Sequence, residues 1–305
     1  MLFRSRPLPA ADRGTDSVRA RTRRAAASRR AAGGTTTVAR EADAASPEAE
    51  ESDVVPKRRR TRAAARPVRD GMLSSKPLEL VALDLDGTLV DSAPDIAHSL
   101  GIALEAVGYA PPGDARTRSW IGDGLETLIA RALAHAAGTE TPSPAAPRFP
   151  SADARHAAAL DAFLAAYRDN LYTRSRLYEG TAATLDTLRA HGLRLCCITN
   201  KRYDLSERLL AAAGVLDRFE LLLGGDSLPE KKPSALPLKV AAERLGVAPA
   251  AAILVGDSLQ DLRAARSAGY GFVFASYGYG RVEETGSAAS ARLGAFTDLP
   301  RALGL

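Results

Sequence analysis

The sequence is poor in sulfur and in aromatic side chains. Two cysteines among 305 residues, adjacent at Cys196-Cys197, exclude a disulfide-stapled scaffold and fit a reducing, cytoplasmic compartment. Both fall inside one apolar run, where neighbouring side chains face opposite sides of a sheet, so they read as buried thiols and not as a redox pair. No stretch approaches eighteen consecutive apolar residues, which excludes a transmembrane helix, and no apolar segment of secretory length occurs. His98, His135, His156 and His191 have no ligand spacing, so a zinc site is not expected. Gly278-x-Gly280 lacks the third glycine and the following helix of a dinucleotide loop and reads as a turn.

Excess positive charge is also missing from most of the chain. The formal net charge is +5, yet residues 1–71 hold 17 Lys+Arg against 9 Asp+Glu, so residues 72–305 are net acidic. The basic clusters lie at Arg21–Arg24 and Lys57–Arg60, among apolar residues too sparse for a helical or strand period. Such a segment does not offset its ordering entropy, and residues 1–71 are expected to be a disordered leader. It reads as a nucleic-acid-binding arm, as a targeting peptide, or as a segment outside the working protein. Asp43, Glu48, Glu50, Glu51 and Asp53 argue against a transit sequence. Met1 and Met72 are the only methionines, and Met72 stands where the folded pattern begins, which favours the third reading. Nucleic acid is therefore not expected to be the main partner.

From Leu78 onward the chain has the pattern of an α/β protein. Near-continuous apolar runs at Leu78–Asp84, Leu193–Thr199, Phe219–Leu223, Ala252–Gly256 and Gly271–Ala275 predict strands buried on both faces. Helix-length stretches between them, Ala182–His191, Asp204–Ala213, Leu236–Leu245 and Leu259–Ala268, each end at a glycine. The expectation is a doubly wound parallel sheet, built from residues 78–91 and 179–305. About ninety residues separate the first two strands, too many for one crossover. Apolar spacing in Ile96–Val107, Leu125–Ala137 and Ala157–Leu171 predicts an inserted α-helical cap over residues 92–178. Within it, Gly138–Ala154 carries four prolines and reads as a polar loop.

In such a sheet, ligands bind at the carboxyl ends of the strands. Those ends read Asp84-Leu-Asp86-Gly-Thr, Thr199-Asn-Lys201, Lys231-Lys-Pro233 and Gly256-Asp257-Ser-Leu-Gln-Asp261. Asp84 and Asp86, two apart in extended chain, point to one side, and like charges this close require a cation. Asp257 adds to that need. With oxygen ligands alone, Mg²⁺ is the expected ion. Phosphates bring negative charge to such a site, and Thr199 with Lys232 supplies a donor and a positive charge for phosphoryl oxygens. Lys231 is the rival for that role; the position directly before proline favours Lys232.

These four segments, in this order, resemble the motifs of the haloacid-dehalogenase superfamily, a resemblance that runs from about residue 78 to the C-terminus. It implies a Rossmann-like core in which Asp84 is the nucleophile forming an aspartyl phosphate. It further implies that Asp86 is the general acid and base, and that Thr199 and Lys232 hold the phosphoryl group. Mg²⁺ would be bound by Asp84, the main-chain carbonyl of Asp86, and Asp257, with Asp261 orienting the lysine or a metal-bound water. Asn200, beside Thr199, and Trp120 are candidate substrate contacts, Trp120 having the cap core as its alternative. Dehalogenases lack an acid at the position of Asp86, so phosphoryl chemistry is favoured. Trp120-Ile-Gly-Asp-Gly124, Gly224–Pro233 and Tyr277-Gly-Tyr-Gly280 look most like the bacterial phosphoglycolate phosphatase branch, although Ala235 stands where proline is expected. That branch implies a small phosphorylated organic acid as substrate; a sugar phosphate or a phosphomutase reaction is the alternative on the same core.

Overall fold

The structure, a computed structural model, describes residues 77–139, 151–281 and 289–305. The basic leader, Met72 and most of the proline-rich loop lie outside the described residues. In chain order the main elements are β1 (Leu80–Leu83), β2 (Val90–Asp91), α1 (Ala93–Ala106), α2 (Asp114–Arg118), α3 (Leu125–Thr139), α4 (Ala152–Asp169) and β3 (Arg176–Leu177). Next come α5 (Thr181–Ala190), β4 (Arg194–Ile198), α6 (Tyr203–Ala212), β5 (Leu221–Leu223) and α7 (Leu236–Arg244). The last are β6 (Ala252–Gly256), α8 (Leu259–Ala268), β7 (Gly271–Ala275) and β8 (Ala291–Leu293).

Six strands form one parallel sheet in the order β5-β4-β1-β6-β7-β8. Its centre is apolar on both faces because each strand sends alternate side chains to opposite layers. Val81, Leu83, Leu195, Cys197, Ile253 and Val255 pack with α5, α6 and the inserted helices. Leu80, Ala82, Cys196, Ile198 and Leu254 pack with α7 and α8. The two thiols are thus free and buried in separate layers. The glycines expected to end α5, α6, α7 and α8 all have positive φ, which closes each last turn without a Cβ clash.

The strand order reverses at β1, with β4 on one side and β6 on the other. This leaves a crevice at the carboxyl ends of those three strands, the position favoured for ligands in open α/β sheets. The helices α1–α4 leave and return through a two-stranded antiparallel stalk, with Val90 opposite Leu177 and Asp91 opposite Arg176. α1 packs on α4, and α3 extends to Thr139, past the start expected for the loop. Ser151 accepts a hydrogen bond from the Ala154 amide and starts α4, a serine N-cap. β2, β3 and β8 were not expected: two are dipeptides, and β8 has exposed Arg292 at its centre, so none is an apolar run.

Asp95, in the first turn of α1, has no solvent exposure. Its carboxylate accepts from the Arg174 amide (2.9 and 3.0 Å), the Ser175 amide (2.8 Å) and the Ser175 hydroxyl (2.6 Å). This one side chain fastens the outgoing helix to the segment that leads into the returning strand. Asp95→Ala leaves these donors buried without an acceptor and is expected to cost about 2–4 kcal/mol of stability in urea denaturation. A loss under about 0.5 kcal/mol would contradict the assignment.

Candidate active site

β1 ends where its ladder still holds Asp84, whose amide donates to the Val255 carbonyl at 2.9 Å. The chain then folds tightly: the amides of Thr88, Leu89 and Val90 all donate to the Leu85 carbonyl. Gly87 has φ +86°, and a Cβ there would lie 2.3 Å from Asp257 Oδ2. From the other side a Cβ at Gly278 would lie 2.4 Å from the same oxygen. Asp257, at the end of β6, is therefore wedged between two glycines, and it accepts a hydrogen bond from the Tyr279 amide at 2.6 Å.

Lys232 is 3% exposed and reaches the crevice from the loop before α7. Its ammonium donates to Asp84 Oδ1 at 2.7 Å and to the Ile198 carbonyl at 2.6 Å, and pairs with Asp261 Oδ1 at 2.6 Å. The other Asp261 oxygen accepts from the amide and hydroxyl of Ser258, completing a capping box on α8. Asp261 is thus in direct contact with the lysine. Lys231 points elsewhere, its Nζ close to Gly124 of the helical insertion.

Asp86 faces a different pair. Lys201 Nζ donates to both its carboxylate oxygens, at 3.0 and 3.1 Å, and Ser92 Oγ donates to Oδ1. Lys201 also lies 4.7 Å from the centroid of the Tyr167 ring. Thr199 is buried at the end of β4, its Oγ1 accepting from the Lys201 amide at 3.2 Å.

The charges do not balance. Burial pushes Asp84 up to about 7, against the pull of Lys232, with Asp261 adding to the rise. Burial also drives Asp257 well above the usual carboxyl range, helped by Asp84 and Asp261. Burial works against both lysines, but Asp261 and Asp84 hold Lys232, and Asp86 holds Lys201, above the ordinary lysine value. Four carboxylates against two ammonium groups leave two negative charges, the charge of one divalent cation. Asp84, Asp257 and Asp261 each offer an oxygen, all within 4.8 Å of one another, and Asp261 is engaged by Lys232. The hard, all-oxygen donor set fits Mg²⁺. Because its side chain is turned to Lys201 and Ser92, Asp86 has only its main-chain carbonyl to offer.

The structure brings together Asp84, Asp86, Thr199, Asn200, Lys232, Asp257 and Asp261. Asn200 and Trp120 differ in where their side chains lie. Asn200 lines the cleft, but its side-chain amide donates to the carbonyls of Gly122 and Lys232, both at 2.9 Å, so it fastens the insertion to the lysine loop. Trp120 does not line the cleft; its ring packs edge-on against His135 of α3 at 5.6 Å, while Ile121, Gly122 and Gly124 form the wall. Sequence reasoning missed Lys201, Ser92 and Tyr279. The Tyr279 hydroxyl accepts from the amides of Ser92 and Ala93 and donates to Asp91, which Arg118 pairs at 3.1 Å. The available signals were the position of Lys201 at a strand's carboxyl end and that of Tyr279 in the Tyr277-Gly-Tyr-Gly280 segment.

A buried lysine and an all-oxygen acidic cluster at the switch point of a parallel sheet are the equipment of a phosphoric monoester hydrolase. A family model described as "Haloacid dehalogenase-like hydrolase" matches residues 81–275, and the chain belongs to that family. It is 41% identical over 204 residues to "Phosphoglycolate phosphatase" of Nitrosococcus oceani, covering 67% of this chain and 86% of that one. It is 36% identical over 240 residues to the protein of the same name from Yersinia pseudotuberculosis, covering 77% and 97%. The crystal structure of "a predicted phosphoglycolate phosphatase" from Haemophilus somnus 129pt superposes with a TM-score of 0.68 at 33% identity, covering 74% of this chain and 98% of that one.

The raised acids carry a consequence for stability. The folded value of Asp84 exceeds that of a free carboxyl, so the folded state holds an extra proton there between about pH 4 and pH 7, and Asp257 is shifted in the same direction. That contribution to stability is lost as pH rises through the window, and a divalent cation removes the loss. The rise in melting temperature on adding Mg²⁺ over EDTA is therefore expected to be larger at pH 7 than at pH 5; an equal or reversed difference would contradict it.

Proposed function

We propose that the protein hydrolyses 2-phosphoglycolate to glycolate and phosphate, with Mg²⁺, through an aspartyl phosphate on Asp84. The observation that carries this reading is the buried Asp84–Lys232–Asp261 array with Asp86 two residues on, in a chain 41% identical to a phosphatase of that name. Asp84 Oδ attacks phosphorus while the bond from phosphorus to the glycolate oxygen breaks, and Asp86 gives that oxygen a proton. Asp86 then takes a proton from water as the water oxygen attacks phosphorus, which frees the Asp84 carboxylate and releases phosphate. Lys232 and the Thr199 hydroxyl hold phosphoryl oxygens through both steps. Asp84, Asp257 and the Asp86 carbonyl would hold Mg²⁺, which when bound offsets the charge gathering on the phosphoryl oxygens.

Helices α1–α4 serve as the cap over residues 92–178. Ile96, Ile121, Leu125, Leu128 and Phe163 line the cleft between cap and core and exclude bulk water from the reacting atoms. Two buried free thiols support a reducing, cytoplasmic setting. Among the described residues no helix is long and apolar enough to cross a membrane.

Phosphate release measured over a panel of phosphate esters tests the reading. The expected result is the highest kcat/KM for 2-phosphoglycolate, dependence on Mg²⁺, and a loss of at least about 1000-fold in Asp84→Asn. Retained turnover in Asp84→Asn would overturn the nucleophile, and preference for a sugar phosphate would overturn the substrate. Lys232→Ala is expected to lose at least about 100-fold in kcat, and an unchanged rate would return the phosphoryl contact to Lys231.

A further inference from the structure

Three cations line the cleft, and they are committed to different degrees. Lys232 is held by two carboxylates and a carbonyl. Arg202 lies beside Asp204 and Asp226 and is 39% exposed. Lys201 is 7% exposed, and its one carboxylate partner is Asp86, the residue assigned the proton transfers. Both oxygens of Asp86 are turned to the Lys201 ammonium. A leaving-group oxygen approaching Asp86 therefore meets the Lys201 ammonium, and drawing Lys201 away clears Oδ2 while Ser92 Oγ still holds Oδ1.

We propose that Lys201 is a specificity-determining residue that binds a carboxylate on the substrate's leaving group, exchanging Asp86 for that carboxylate as the substrate enters. This deepens the phosphatase reading and rests on the assignment of Asp86 as the proton donor. The surroundings select the class of anion. Beside Lys201 the Tyr167 hydroxyl is buried and faces the ammonium as an acceptor, which leaves its own proton to donate. Ile96, Phe163 and Leu205 make the nearby cleft wall apolar. One ammonium and one hydroxyl in an apolar setting match a monoanionic carboxylate. The Lys201 ammonium is one hydrogen bond from Asp86, so a carboxylate that reaches it lies a carbon or two from the leaving oxygen. The substrate class is a short acid phosphorylated on its hydroxyl. An ester without that carboxylate leaves Lys201 on Asp86 and reacts slowly even when its phosphate is bound.

The test compares kcat/KM for 2-phosphoglycolate with that for ethyl phosphate, which has the same length and a neutral end, in wild type, Lys201→Met and Lys201→Arg. The ratio of the two values is unaffected by the fraction of active protein. It is expected to fall by about 30- to 100-fold in Lys201→Met and to recover in large part in Lys201→Arg. An unchanged ratio in Lys201→Met overturns the proposal, because the residue then supports Asp86 for every ester alike. Tyr167→Phe, which keeps the ring beneath the ammonium, is a second variant should Lys201→Met fail to fold. Its ratio is expected to fall by about 5- to 10-fold, and no change there has the same meaning. Failure of the substrate reading shows separately, in the wild type, as equal kcat/KM for the two esters; that result overturns both.

Discussion

An excess of buried negative charge governs this molecule. Four carboxylates meet two ammonium groups at the carboxyl edge of one parallel sheet, and much of the surrounding structure serves to hold them there. Lys232 ties Asp84 to Asp261 across the end of the sheet. Gly87 and Gly278 give up side chains so that Asp257 fits between them. Ser258 and the first turn of α8 fix Asp261. Each device lowers the cost of keeping acids close and dry, and together they leave a deficit of two positive charges for a divalent cation to fill.

The fold makes this concentration of charge possible. Reversal of strand order at β1 sets the ends of β4, β1 and β6 side by side, so residues 84, 199 and 257 become neighbours. The helical insertion is tied to that edge rather than floating above it. Asp95 clamps the stalk, Asn200 holds the Gly122 carbonyl, and Tyr279 touches both Asp257 through its amide and the start of α1 through its hydroxyl. The residue whose amide holds Asp257 thus also caps the first helix of the insertion.

The core was legible in the sequence because its strands are continuous apolar runs and its helices stop at glycine, both local signals. The convergence of Asp84, Asp86, Thr199 and Asp257 was legible for a related reason, since they follow the ends of those runs, while Lys232 and Asp261 were legible from the segments that follow β5 and β6. What escaped depends on partners far away in the chain. Asp95 meets residues 79 and 80 positions on, Tyr279 meets Ser92 across 187, and Lys201 meets Asp86 across 115, separations at which no spacing rule operates. Trp120 takes the cap-core place that was its alternative, and Asn200 lines the cleft with its amide donors turned to main-chain carbonyls. Motif position marks the neighbourhood, but it does not tell whether an indole turns to α3 or whether an amide's donors are already used.

The central claim is that Asp84 itself carries the phosphoryl group. Acid quenching during turnover of 2-phosphoglycolate with Mg²⁺, followed by peptide mapping by mass spectrometry, tests it most directly. The account predicts a phosphoryl adduct on the peptide that contains Asp84, localised to that side chain and absent when substrate is omitted. A phosphoryl adduct localised to any other residue, or turnover with no protein-bound phosphate at any quench time, would contradict it.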